Sequence, residues 1–180
     1  MKDLLHKISV VTEKLERFLI MTAILVMMAN STANAIGRYA FNKSLFFSEE
    51  LNQFLIVIVT FVGFAYAVRQ GRNIRMTAVY DSLSFRLQKI LTTIIALLTS
   101  ALMFYLAYHS LLYVEELKSL NRVSPALQFP VYWVYAIIPI GFSIAGLQYS
   151  MSFVMNLLHK EIYVSFDVTE NKTNEVGELS

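Results

Sequence analysis

The sequence predicts an all-α integral membrane protein: four transmembrane helices, with an amphipathic helix in the cytoplasmic interface between the second and third. Three observations carry this. Of 180 residues, 56% are hydrophobic, and the mean hydropathy is +0.53. The apolar residues gather into four blocks, 18–37, 51–68, 90–114 and 131–158, none containing Asp, Glu, Lys or Arg. Each block can cross a hydrocarbon core of about 30 Å at about 1.5 Å per residue. Spanning backbone must satisfy its own hydrogen bonds, and these lengths suit helices rather than the roughly 10-residue strands of a membrane barrel.

The first block follows Lys2, Lys7, Lys14 and Arg17 and contains Ala33-Asn34-Ala35, which has the form of a signal-peptidase site. It is longer than a signal core and three more blocks follow, so it reads as an uncleaved helix. Within it Asn30, Asn34 and Arg38 recur at i, i+4 and i+8, beside a small-residue stripe of Ala29, Ala33 and Gly37. Small residues admit a second helix closely, and amides in hydrocarbon need partners across that contact, so this face is expected to be covered by protein.

The second block opens with Ser48-Glu49-Glu50. Ser48 is the expected N-cap, with both acids in the first turn, where they offset the helix dipole. Since Arg38 closes the preceding span, the short hairpin is expected to pair Arg38 with Glu50 and leave Glu49 to water or headgroups. Between the second and third blocks, Met76, Val79, Tyr80, Leu83 and Leu87 keep a helical period. This predicts an interfacial helix over about 74–87, with Gly71 as a joint and Arg72 and Arg75 against lipid headgroups. In the fourth block Pro139, followed by Gly141 and Gly146, predicts a kink. Residues 1–160 thus form the membrane domain, and 161–180 a polar tail expected to be disordered.

Basic residues set the orientation. Lys2, Lys7, Lys14 and Arg17, then Arg69, Arg72, Arg75, Arg86 and Lys89, then Lys160 and Lys172 lie on one side, against Arg38, Lys43, Lys118 and Arg122 on the other. The positive-inside rule places both termini in the cytoplasm. The net charge of +2 reflects this topology and gives no reason to expect nucleic-acid binding. On the outer surface Lys43, Glu115, Glu116, Lys118 and Arg122 are the charges available to a soluble partner.

Chemistry is sparse. There is no cysteine, hence no thiol nucleophile, and no nucleotide loop, zinc motif or acyl-enzyme elbow. Of the three histidines only His109 is well inside a span, whereas a bis-histidine haem needs two. No cofactor, metal or catalytic group is expected.

The stretch "NAIGRYAFNKSLFFSEELNQFLIVIVTFVGFAYAVRQGRNIRM" resembles the signature of the small, DctQ-like membrane subunit of tripartite ATP-independent periplasmic (TRAP) transporters. Arg38 closes the first span, Glu50-Leu51 open the second, and Gly63 and Ala65 precede its end. "FPVYWVYAIIPIGF" matches the family's fourth-span opening through Pro130, Tyr135, Pro139 and Gly141, while Asn73 replaces a usual histidine. The resemblance implies a non-catalytic subunit of the bacterial inner membrane. It would scaffold a large multi-span (DctM-like) subunit in sodium-coupled uptake of a carboxylated solute delivered by a periplasmic binding protein. Two other classes compete: a self-sufficient proton- or cation-coupled transporter or channel using Glu49 and Glu50, and a four-helix oxidoreductase holding haem or quinone.

Overall fold

The computed structural model describes residues 2–71, 80, 82–159 and 161–163, with side chains described from Val11 onward. Among the described residues five helices follow in order: α1 (Lys2–Phe41), α2 (Ser48–Arg69), α3 (Phe85–Ser119), the single turn α4 (Tyr132–Tyr135) and α5 (Ile137–Leu158). Four segments of the described residues are long and apolar enough to cross a membrane: Val11–Phe41, Ser48–Arg69, Phe85–Ser119 and Tyr132–Leu158. At about 1.5 Å per residue the 35 residues of α3 exceed a hydrocarbon core of about 30 Å, so α3 tilts or projects beyond it.

The spans form a row and not a ring. α1 packs on α2, α2 on α5, and α5 on α3, in the lateral order α1–α2–α5–α3. The two edge helices therefore leave most of their surface uncovered, including Leu25, Met28, Leu98 and Leu102.

Close approach at small residues makes this packing. Ala65, Ala96, Ala107 and Ala145 are all buried, and a Cβ on Gly141 would lie 3.0 Å from the Phe61 carbonyl oxygen. Phe142 fills the adjacent space, edge-on to Phe61 at 5.2 Å and to Phe64 at 6.2 Å. Across the other flank of α5, the Ser100 hydroxyl donates to the Gly146 carbonyl at 3.1 Å and lies 2.6 Å from Ser150 Oγ. Gly146 itself is roofed by the Phe104 ring. Gln148 is buried with neither amide atom hydrogen-bonded, and nothing among the described residues accounts for it.

The fourth span breaks at Ala136, three residues before Pro139. A proline supplies no N–H to the carbonyl four residues back, and its ring crowds that carbonyl, here Tyr135. The interruption therefore falls at the preceding turn, and Pro139 sits in the first turn of α5, where no donor is required.

Most of the expected interfacial helix, 74–87, lies outside the described residues, as do Arg72, Asn73 and Arg75. Its described end does not run into the third span: Ser84 is extended at φ −64°, ψ 150°, and α3 starts afresh at Phe85. After α5 the chain turns back. The Asn156 side chain donates to the Tyr163 carbonyl at 2.7 Å and accepts the Tyr163 N–H at 2.9 Å, while Ser152 donates to the same carbonyl at 3.0 Å. Residues 161–163, expected from sequence to be disordered, are thereby docked on the helix.

Glycine substitutions should rank by these contacts. A Cβ at Gly37 would meet the Lys43 carbonyl oxygen at 2.8 Å, at Gly141 the Phe61 backbone, and at Gly63 only the Ile20 side-chain tip at 3.9 Å. Gly37→Ala and Gly141→Ala should each destabilise the chain by about 1–3 kcal/mol, and Gly63→Ala should be near neutral. Thermal melts of the purified variants in one detergent check the order.

Candidate functional site

The densest polar construction lies where the first turn of α2 meets the loop between α3 and α4. That loop is shaped by its own backbone: Asn121 and Gln128 adopt left-handed φ values of 45° and 53°, and Val123 bridges Pro130. The Ser124 N–H donates to Phe129 O at 2.9 Å, and the Val131 N–H to Arg122 O at 3.1 Å. These turns aim three donors at one point. Glu50 fills it, accepting the Ser124 hydroxyl and the N–H groups of Ala126 (3.0 Å) and Leu127 (3.2 Å) on Oε2, with the Ala126 N–H shared to Oε1 at 3.1 Å. A carboxylate so placed satisfies loop N–H groups that helical neighbours cannot reach, and it ties the start of α2 to the distant loop.

Glu50 therefore does not pair with Arg38. The side of α2 that meets α1 is marked by Asn52, which accepts Asn30 Nδ2 at 2.8 Å and donates to Ser31 Oγ at 2.9 Å. Two residues along a helix are about 200° of rotation, so Glu50 faces the opposite way. Arg38 is exposed; its guanidinium lies over the Tyr39 ring at 5.2 Å and reaches the Tyr39 hydroxyl at 3.4 Å.

Ser48 does not cap α2. Phe47 is the N-cap residue, and no side chain caps the helix. The Ser48 N–H is already used by Leu45 O at 3.1 Å, and the turn buries Ser48, whose carbonyl accepts Asn30 Nδ2 at 2.9 Å. Glu49 is exposed in the first turn. Asn34 accepts the Leu45 N–H at 2.8 Å, and the Gly37 carbonyl takes the Lys43 N–H at 3.1 Å, so both shape the hairpin. The two halves of the α1 stripe thus separate: Asn30 is buried and Asn34 and Gly37 half-buried, whereas Ala29 and Ala33 are exposed. Lys43, Glu115, Glu116, Lys118 and Arg122 are all exposed at the Glu50 end.

The other end of the α1–α2 hairpin holds a pair that the sequence reading missed. Arg69 Nη2 lies 3.1 Å from Glu16 Oε1, with side-chain exposures of only 11% and 7%. Gln70 donates to Glu13 at 3.1 Å and Arg17 to the Tyr66 hydroxyl at 3.2 Å. The signal was present: an acid just before the first span and a base just after the second stand on one side of a helical hairpin. His109 is exposed on α3, with its ring centroid 4.4 Å from Tyr105. Among the described residues no group of three His, Cys, Asp or Glu could hold a metal.

The sequence model of the family described as "Tripartite ATP-independent periplasmic transporters, DctQ component" matches residues 27–159, which include the whole Glu50 construction. The chain belongs to the DctQ family. It is 41% identical over 167 residues to the ectoine TRAP transporter small permease protein TeaB of Halomonas elongata, covering 93% of this chain and 86% of that protein. A second DctQ-type relative is the isethionate TRAP transporter permease protein DctMQ of Oleidesulfovibrio alaskensis. It is 25% identical over 101 residues, 56% of this chain and 16% of the much longer relative. The protein is a small permease subunit of a TRAP transporter, a membrane transport component.

A double-mutant cycle separates the two pairings of Glu50. Glu50→Gln combined with Ser124→Ala should show a coupling of about 0.5–3 kcal/mol in thermal or denaturant stability. Glu50→Gln with Arg38→Ala should be additive to within about 0.5 kcal/mol.

Proposed function

We propose that this DctQ subunit serves as a fixed, non-catalytic scaffold for a large, DctM-like membrane subunit. The complex would lie in a bacterial inner membrane and carry out sodium-coupled uptake of a carboxylated solute delivered by a periplasmic binding protein. The observation that carries the reading is the open row of spans, whose edge helices have one packed side each and a large uncovered apolar surface. Such a row suits an element that adds area to a larger membrane body. The relative named DctMQ, in which the matching region is 16% of one long permease chain, supports a large-subunit partner. Exposed Ala29 and Ala33 on α1 suit close approach of a partner helix.

The distribution of lysine and arginine supports cytoplasmic termini, and with them an outer position for the Glu50 hub. In this orientation Lys43, Glu115, Glu116, Lys118 and Arg122 face the binding protein, with the loop before α4 held rigid by Glu50. Arg72 and Arg75, with the interfacial helix of 74–87, would lie against cytoplasmic-leaflet headgroups, and residues 164–180 would continue the cytoplasmic tail. Relatives named for ectoine and for isethionate handle different solutes, which favours solute selection in the other subunits. Recognition of a carboxylate needs cationic donors, and the four apolar blocks contain no lysine or arginine. The competing self-sufficient transporter relied on Glu49 and Glu50; the hydrogen bonds on Glu50 favour a structural use of that acid instead.

Reconstitution tests the reading. Sodium-driven uptake into liposomes should require this chain, the large subunit and the binding protein together, and the isolated chain should give none. Uptake by the isolated chain, or full uptake by a complex lacking it, would overturn the scaffold role. Charge reversal at Lys118 and Arg122 should raise the binding-protein concentration for half-maximal uptake, more so at low salt.

A further inference from the structure

A cleft of about 120 Å³ opens at the Glu50 end of the row, between the ends of α2 and α3 and against α4. Its rim carries Glu50, Gln53 and Arg122, and its wall is Phe54, Leu117 and the edge-to-face pair Tyr113–Tyr135, whose rings are 5.8 Å apart. We propose that this cleft binds the headgroup of a zwitterionic phospholipid of the phosphatidylethanolamine type, with its phosphate at Arg122 and its ammonium at Glu50 Oε1.

Three features select this occupant. First, the two charged groups stand in one cleft with capacity to spare. Oε2 of Glu50 takes the Ser124, Ala126 and Leu127 donors, whereas Oε1 takes only the shared Ala126 N–H and keeps lone pairs free for an ammonium. The Arg122 guanidinium has no hydrogen bond or ion pair among the described residues, yet its backbone is held at both ends, N–H to Leu117 O at 3.3 Å and carbonyl to the Val131 N–H at 3.1 Å. A lone anion would meet the Glu50 charge and a lone cation the Arg122 charge; a zwitterion satisfies both.

Second, the depth is that of headgroups. Tyr113, Tyr135, Tyr132 and the exposed Trp133 gather at this end, and tyrosine and tryptophan concentrate at the membrane–water boundary. Third, the size is right. The cleft is small, about 120 Å³, and open to one side, which suits a single headgroup rather than a folded segment of a partner protein. The apolar wall then meets the glycerol and upper acyl carbons. This site depends neither on which leaflet the cleft faces nor on the transported solute.

Native mass spectrometry of the delipidated full chain, titrated in detergent with defined phospholipids, tests it. One phosphatidylethanolamine should be retained per chain, and more tightly than phosphatidylglycerol, which lacks the ammonium. Arg122→Ala should weaken retention by about tenfold or more, the worth of one charge-assisted contact. Lys118→Ala, an exposed charge one turn away, should leave it unchanged. Thermal melts show whether Arg122→Ala stays folded, and Gln53→Leu, on the same rim, provides a second variant expected to weaken retention. Water-soluble phosphoethanolamine should fail to displace the lipid, since it lacks the part that meets the apolar wall. Equal retention of the two lipids, displacement by the soluble headgroup, or indifference to both substitutions would overturn the site. So would an Arg122→Ala variant that keeps its lipid and loses only capture of the binding protein.

Discussion

In hydrocarbon an apolar side chain gains nothing by leaving lipid for another apolar side chain, so four greasy helices need another reason to stay together. Here the reason is polar stitching combined with close approach at small residues. Asn30, Asn52 and Ser31 join α1 to α2, and Ser100 joins α3 to α5 through Ser150 and the Gly146 carbonyl. α2 and α5 meet instead through bare backbone, Gly141 against Phe61, with Phe142 wedged beside it. Each contact is local to one pair of helices, and the assembly is a row because no stitch among the described residues joins α1 to α3.

A row has weak ends, and both ends of this one are tied by longer-range bonds. Glu50 reaches from the first turn of α2 to the loop that precedes the fourth span, more than 70 residues on, and so ties the start of α2 to the segment between α3 and α4. At the opposite end Arg69 and Glu16 close the α1–α2 hairpin as a buried pair. Removing one partner of such a pair leaves an uncompensated charge, at a cost of about 3–5 kcal/mol, so the pair fixes the alignment of the hairpin more than it adds net stability. Asn156 does the same for the chain after α5 by imitating a backbone partner for Tyr163.

These ties have a functional consequence for a permease subunit. In the scaffold role proposed above the chain must hold its shape while a neighbour moves, and the surfaces left uncovered are the broad faces of the row and its two edges. The stitched polar groups are turned inward, between helices, so the outward surfaces stay apolar, with Ala29 and Ala33 as a low-relief strip on α1. The cleft beside Glu50 brings together aromatic side chains, the exposed Arg122 and a carboxylate with one oxygen lightly used.

The sequence by itself determined the class, the number and order of the spans, and family membership. These follow from the length of uncharged apolar blocks and from short motifs, properties of contiguous chain that need no knowledge of what touches what. The Asn30 and Asn34 amides stood out for the same reason, since a helical period puts them on one stripe before any partner is known, whereas Gly141 reads in sequence only as part of a kink and its close approach to Phe61 came from the structure. What only the tertiary structure decided is which groups meet across the chain. Glu50 looked ready for Arg38 because the two are near in sequence, but Asn52 had already claimed the α1-facing side of α2, and the 200° between them turned Glu50 to a loop that no local pattern connects to it. Ser48 lost its capping role to a turn that begins at Leu45, and Pro139 broke the helix one turn earlier than its own position, because the group it displaces is the carbonyl behind it. Periodicity fixes the direction of a side chain relative to its own helix; the neighbour it finds depends on how the helices are laid side by side, and that is set by contacts between residues far apart in the chain.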